Sequence, residues 1–343
     1  MAVSIECRDL YAVSNLEYIS KLIEMVVDLQ VMDHMNSNNM HELFQSAYKT
    51  LHSTETAMLP VKNDVLNELD DGNAVLFVCL DLSAAFDTAD HAILLDRLEK
   101  RIGITGNCLK WFQSYLSDRS QKVLINGTMS SPKNLNCGVP QGSVLGPKLF
   151  NIYTLPLGDI IRKFNIDFHL YADDDNLYLA FKPREVTFAF DDMEVLVSTV
   201  RELMAVNMLG FNDTKTDITV INGPRRKPLD VPSLTVGEAN ISMSQSVKAL
   251  GVHIDNSLRM KKKIDMVTRA SFAKLHNMHK IRKCLTEDAA KTMVNAMITS
   301  GLDYCNSLYY GLPDCLIQKL STVQKAAARL IIRSRKYNHI SPL

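Results

Sequence analysis

Two adjacent carboxylates, Asp173 and Asp174, follow Tyr171-Ala172 between two segments that read as β-strands, Phe168 to Leu170 and Asn176 to Phe181. A third acidic residue, Asp81, ends a strongly apolar strand about 90 residues earlier. Three carboxylates gathered at strand ends can hold two divalent ions roughly 3.5–4 Å apart, clamping the attacking and leaving oxygens of an in-line phosphoryl displacement. Hard oxygen donors favour Mg²⁺ over zinc, with Mn²⁺ as an alternative ion. An isolated Asp-Asp pair more often caps a helix, occupies a turn or faces water. Asp81 changes that reading, because a charge at the end of a buried strand is costly without a partner or a metal.

These residues need elements that bring them together. Ala74 to Leu80 is a continuous apolar run of strand length, suited to a central strand buried on both faces. Asp87, with Asp90 three residues later, is placed to cap a helix from Ala92 to Arg101 that Gly103 and Gly106 end. Leu109 to Leu116 is amphipathic, with Trp111 expected in the core. Gln121 to Asn126 reads as a strand leading into a turn at Gly127. A helix can start after Gly138-Val-Pro-Gln-Gly142 and run through Phe150 toward Leu157, with Pro147 in its first turns.

Upstream, residues 1 to 70 read as helical, with Leu16, Ile19, Leu22, Ile23, Val26 and Val27 at helical spacing and a second segment after Ser53. Downstream of the acidic hairpin, Phe188 to Met208 reads as a helix and Thr216 to Ile221 as an edge strand. Pro224-Arg-Arg-Lys-Pro228 and Pro232 mark a boundary. A short β segment spans Leu234 to Gly251, and helices continue to the end.

Asp81-Leu-Ser-Ala-Ala-Phe-Asp-Thr-Ala-Asp-His91, Gly138-Val-Pro-Gln-Gly-Ser-Val-Leu-Gly-Pro147 and His169-Leu-Tyr-Ala-Asp-Asp174 occur in the order found in reverse transcriptases of non-long-terminal-repeat (LINE-type) retrotransposons, which this sequence resembles. Phe44-Gln-Ser-Ala47, His52-Ser-Thr-Glu-Thr-Ala57, Asn212-Asp-Thr-Lys-Thr216, Leu250-Gly-Val252 and Leu302-Asp-Tyr-Cys-Asn-Ser-Leu308 extend the resemblance over nearly the whole chain. It implies an α+β right-hand polymerase fold. Residues 1–222 would form fingers and palm, with fingers mainly 1–70 and 102–145 and palm mainly 71–101 and 146–222. Residues 223–343 would form a connection and a helical thumb truncated at its end.

The resemblance also implies roles. Asp81, Asp173 and Asp174 would hold two Mg²⁺, and Lys215 would protonate the leaving pyrophosphate. Phe86 would exclude a ribose 2′-hydroxyl, while Pro140, Gln141 and Gly142 would lie against the incoming nucleotide and templating base. Lys49 would meet the triphosphate. The implied partners are an RNA template, a DNA primer and deoxynucleoside triphosphates, in an RNA-directed DNA polymerase that extends a primer 3′-hydroxyl. The rival reading is a catalytically inactive nucleic-acid-binding relic or a translated pseudogene fragment. Several departures point that way: Tyr11-Ala12 where relatives read Arg-Pro, Pro60 for a basic residue, Leu51 for Gly and Leu203 for Trp. Asp175 also stands where relatives carry a neutral residue. Complete elements of this type carry an amino-terminal endonuclease, and because this sequence starts close to the fingers it is expected to be a polymerase portion cut from a longer reading frame.

Composition is compatible with this. Of 343 residues, 46% are hydrophobic, enough for two or three subdomains. The seven cysteines have no Cys-x-x-Cys or zinc spacing, and read as mostly buried thiols in a reducing compartment, without disulfide partners. Neither a secretory signal nor a membrane span is evident, so a soluble intracellular protein is expected, with neither nucleus nor cytoplasm indicated. Net charge is zero, but residues 259–343 hold 16 Lys and Arg against 5 Asp and Glu. That end reads as a nucleic-acid track in which Lys280, Arg282 and Lys283 lie off an apolar stripe of Met266, Phe272, Leu275 and Met278.

Overall fold

The computed structural model describes residues 16–335, 338 and 340, apart from 84, 126, 212–214, 224, 225, 227, 228 and 238. Tyr11 to Asn15, Asn212 to Thr214, most of the Pro224 to Pro228 connection, and the end at His339 and Ser341 to Leu343 lie outside the described residues.

Ala74–Ser83 is the central strand. It pairs antiparallel with Asp174–Phe181 on one side and with Asp217–Ile221 and Gly210–Phe211 on the other, while Asp167–Tyr171 extends the sheet beyond Asp174–Phe181. Alternation along the central strand explains its unbroken apolar run. Leu76, Val78, Leu80 and Leu82 enter one core with Val186–Val206, Gly146–Tyr153 and Leu155–Ile161, while Val75, Phe77 and Cys79 enter a second with Thr54–Asp70 and the C-terminal helices. The fold is α+β, and the sheet is antiparallel.

Local chemistry fixes the flanking elements. Ser53 and Thr56 form a reciprocal capping box at the start of Thr54–Asp70. Asp255 accepts from the backbone of Ser257, Arg259 and Lys261, and so turns the Ser246–Ala249/Val252–Asp255 hairpin into the long helix Lys261–Ile281. The highly exposed Leu51 (94%) has φ 63°. A β-carbon strains that left-handed backbone, and the glycine that the resemblance implies at this position would fit it without strain.

Several expectations are corrected. The cap is Asp90, whose carboxylate accepts from Ala92 and Ile93 at 2.8 and 2.9 Å. Asp87 lies inside the short helix Ala85–Thr88. Gly106 starts the helix Gly106–Leu116 and does not end the previous one. Trp111 is half-buried, stacked on Tyr115. Among described cysteines only Cys79 and Cys305 are buried, and Cys108, Cys137, Cys284 and Cys315 are exposed.

In the first helix, Tyr18–Ser37, the residues Ile19, Leu22, Ile23 and Val26 are exposed, and Glu24, Val31 and Met35 face inward. This helix is apolar on more than one side, so periodicity alone cannot choose its buried face; a backbone partner for Glu24 does. In Lys261–Ile281, Met266 and Phe272 are exposed, and the inward row is Ile264, Ser271, Leu275 and Met278. The polar Ser271 masks that row in the sequence.

Arg282 continues the same inward row. It is only 6% exposed, and its guanidinium donates to the carbonyls of Leu330 (2.7 Å), Leu285 (2.8 Å) and Ile331 (2.5 Å). This contradicts its expected place on an exposed nucleic-acid face; Lys280 and Lys283 are exposed. Arg282→Gln should therefore lower unfolding stability by about 2–3 kcal/mol, because buried carbonyls lose charged donors. Lys280→Gln and Lys283→Gln should each change it by less than about 0.5 kcal/mol. Urea unfolding of the three variants checks the contrast.

Candidate active site

Strand register assembles the acidic residues. Asp81 stands directly opposite Asp174 in the antiparallel ladder, and the Leu82 amide donates to the Asp173 carbonyl at 3.2 Å. Opposed residues project on one face of the sheet, so two carboxylates distant in sequence become neighbours. Tyr171 pairs with Asp174, leaving Ala172-Asp173 as a two-residue hairpin loop. Positive φ occurs at the first loop residue, Ala172 (59°), where such loops usually carry glycine.

The electrostatics are those of crowded like charges. Burial raises the Asp173 carboxyl, and Asp81 adds to it while Lys215 opposes it. Asp174 reaches solvent at its edge, yet desolvation by the surrounding strands pushes its carboxyl up to about 6, with Asp173 and Asp81 adding repulsion and Lys215 and Lys248 opposing it. The Lys215 ammonium lies 3.0 Å from Asp81 Oδ2, an ionic contact without hydrogen-bond alignment. Among the described residues, no three His, Cys, Asp or Glu side chains already stand in a closed metal-holding arrangement. The donor chemistry nevertheless fits a hard divalent ion: three carboxylates share one region, and added positive charge relieves their repulsion.

Asp175 points to the opposite face of the sheet, into the core beneath. It is 2% exposed, and neither carboxylate oxygen has a hydrogen-bond partner. Burial, followed by Asp174, Asp173 and Asp81, raises its carboxyl well above the usual range.

The other candidates form the walls. The Phe86 ring stacks on Phe150 at 4.6 Å and meets Tyr48 edge-on at 6.5 Å. Its segment is zipped to the glycine-rich loop by Val139 N–H to Phe86 O (2.8 Å) and Gly138 N–H to Ala89 O (2.7 Å). Gln141 Nε2 donates to Asp87 Oδ1 at 3.4 Å, Gly142 takes φ 95°, and Pro140 is buried. Lys49 turns inward, its ammonium donating to the Glu42 carbonyl at 2.5 Å, and burial lowers its pKa.

Two residues that sequence reasoning missed support these walls. Glu24, 1% exposed, accepts from the amides of Val144 (2.7 Å) and Leu145 (3.2 Å), tying the first helix to the start of Gly146–Tyr153. Gln45 accepts from the amide of Ala172 at 3.1 Å. Glu24 carries no signal in an apolar helix; Gln45 lies in a matched motif, but nothing local indicates its partner.

Replacing Asp175 by valine should stabilise the chain by about 1–3 kcal/mol, the desolvation cost of an unpartnered buried group, since valine suits a central strand. Chemical denaturation provides the check, and a loss of stability would mean the carboxyl is partnered in solution.

The family described as reverse transcriptase (RNA-dependent DNA polymerase) matches residues 9–254. A probable RNA-directed DNA polymerase from transposon X-element of Drosophila melanogaster is 25% identical over 324 residues, covering 93% of this chain and 35% of that protein. The RNA-directed DNA polymerase from mobile element jockey of Drosophila funebris is 24% identical over 327 residues, with 93% and 35% covered. The chain thus spans about a third of the length of these curated relatives. Among solved structures, telomerase from Candida tropicalis in complex with a TWJ fragment of telomeric RNA aligns with TM-score 0.48 at 12% identity, covering 95% of this chain and 56% of that one. With the acidic hairpin, its opposed strand and the glycine-rich loop all inside a family match that takes in most of its length, this chain belongs to the reverse transcriptase (RNA-dependent DNA polymerase) family.

Proposed function

We propose that this chain is the copying portion of a LINE-type element: an RNA-directed DNA polymerase that adds deoxynucleotides to a primer 3′-hydroxyl on an RNA template. The observation that carries the reading is the register that sets Asp81 opposite Asp174, beside the loop that bears Asp173. Asp81, Asp173 and Asp174 would hold two Mg²⁺, which when bound supply charge stabilisation to both oxygens of the displacement. Lys215, 3.0 Å from Asp81, is close enough to this charge to donate a proton to departing pyrophosphate. Fingers, palm and thumb would divide the chain near residues 70, 102, 145 and 222.

Substrate selection falls to the walls. Phe86, braced on Phe150, sets a rigid ring where a 2′-hydroxyl would lie. Gly142 leaves backbone uncovered for a nucleotide, and Gln141 offers an amide that both donates and accepts. Lys49 serves better as a brace for Glu42 than as a triphosphate contact. Duplex phosphates would follow Lys262, Arg269, His276 and Lys280, all exposed and recurring along one face of Lys261–Ile281, with Lys283 beyond them.

Purified protein with Mg²⁺ should extend a DNA primer on an RNA template, and Asp173→Asn should reduce the rate by about a thousandfold or more. Duplex binding without extension by the unaltered chain overturns the catalytic reading in favour of an inactive binder. Phe86→Ala should narrow the preference for deoxynucleotides over ribonucleotides by about 10–100-fold, read as a ratio of kcat/KM values. An unchanged ratio would return Phe86 to a packing role.

A further inference from the structure

We propose that Gln45 is a positioning residue that clamps the hairpin loop bearing Asp173. The inference rests on the reading of Asp173 as a metal ligand and adds to it the device that holds it. Phe44 to Ser46 forms a short parallel bridge to Asp167–Tyr171, with the Leu170 amide donating to Phe44 O (2.9 Å) and the Ser46 amide donating to Leu170 O (3.0 Å). From this edge the Gln45 side chain reaches past the end of the strand. Its Oε1 accepts from the amides of Ala172 (3.1 Å) and of Ala47 (2.9 Å), and Gln45 is 3% exposed, so these bonds are shielded from water.

Ala172 is where a clamp has an effect. Its φ of 59° is unfavourable for a residue with a β-carbon, so the loop tends to relax unless something outside the hairpin holds it. Relaxation would redirect Asp173, the next residue. The clamp is itself anchored: Asn151 Nδ2 donates to Ala47 O (2.9 Å), Lys148 Nζ to Tyr48 O (2.7 Å), and Ser46 Oγ meets His169 Nε2 at 2.8 Å. The matched motif Phe44-Gln-Ser-Ala47 thereby gains a mechanical role, since it transmits the rigidity of the helix Gly146–Tyr153 to the loop through one side-chain oxygen.

The test uses the full chain with Gln45→Met, which keeps length and loses the acceptor, Gln45→Glu, which keeps an acceptor at similar reach, and the exposed Leu43→Ala as a control just before the same segment. Hydrogen–deuterium exchange without metal or nucleic acid reads the loop. Exchange within residues 171–174 should quicken about three- to tenfold in Gln45→Met, from the loss of the loop's buried hydrogen bond to Gln45, and stay slow in Gln45→Glu and Leu43→Ala. In primer extension, the Mg²⁺ concentration for half-maximal rate should rise by a similar factor, about three- to tenfold, in Gln45→Met alone, with KM for the nucleotide unchanged.

If Gln45→Met does not fold, Gln45→Asn, one methylene short of Ala172, takes its place. Loop exchange that is unchanged overturns the clamp, as does faster exchange with an unaltered Mg²⁺ requirement. If the unaltered chain extends no primer, the polymerase reading fails by itself and loop exchange alone decides the clamp.

Discussion

The register between Ala74–Ser83 and Asp174–Phe181 is the constraint on which the rest of the molecule depends. A slip of one residue would send every side chain of the strand to the opposite face, exchanging Asp81 with Leu82 and setting a charge in the core. Both faces of the strand are buried, so the penalty for a slip is felt twice. Two apolar cores therefore hold two carboxylates opposite one another. The acidic pair is maintained by hydrophobic packing, against its own electrostatic repulsion.

That arrangement divides labour between the faces of the sheet. One face carries the larger core, a layer of helices that holds the strands in place. The other carries the helix Thr54–Asp70 and the C-terminal half, held by polar links of which the first is fully buried: Lys62 Nζ donates to Leu308 O and also to Tyr310 O, and Tyr304 donates to Leu250 O. These links give Leu250-Gly-Val252 and Leu302 to Leu308 a structural role although neither bears obvious chemistry. Gly251, at φ 74°, leaves room for the Tyr304 hydroxyl that a β-carbon would meet at 3.3 Å.

Much of this was legible in the sequence because the informative segments are locally self-consistent. The apolar run ending at Asp81, the hairpin at Tyr171 to Asp174 and the helix after Gly138 to Gly142 each carry their own period or turn chemistry. What failed to be legible depends on partners far along the chain. The first helix is apolar on several sides, and only the backbone amides of Val144 and Leu145 decide that Glu24 faces inward. Arg282 looks like its basic neighbours until the carbonyls at the end of Asp314–Ile331 are in place to receive it. In the sequence Asp87 reads as the cap with Asp90 as an acidic third position, but the short helix Ala85–Thr88 takes in Asp87 and leaves Asp90 to cap the next helix. In the same way, a count of cations overstates the usable basic surface wherever a cation serves the interior.

The outward row of the first helix has a colloidal consequence. Tyr18, Ile19, Leu22, Val26 and Leu29 offer a continuous greasy strip on a molecule whose formal charge sums to zero, so near neutral pH no long-range repulsion keeps copies apart. Sulfate or phosphate, which strengthen the tendency of such strips to hide from water, would drive molecules together, whereas a moderate chaotrope or a mild detergent would disperse them. The same helix thus turns Glu24 inward to brace the walls of the acidic centre and an apolar strip outward to meet other molecules.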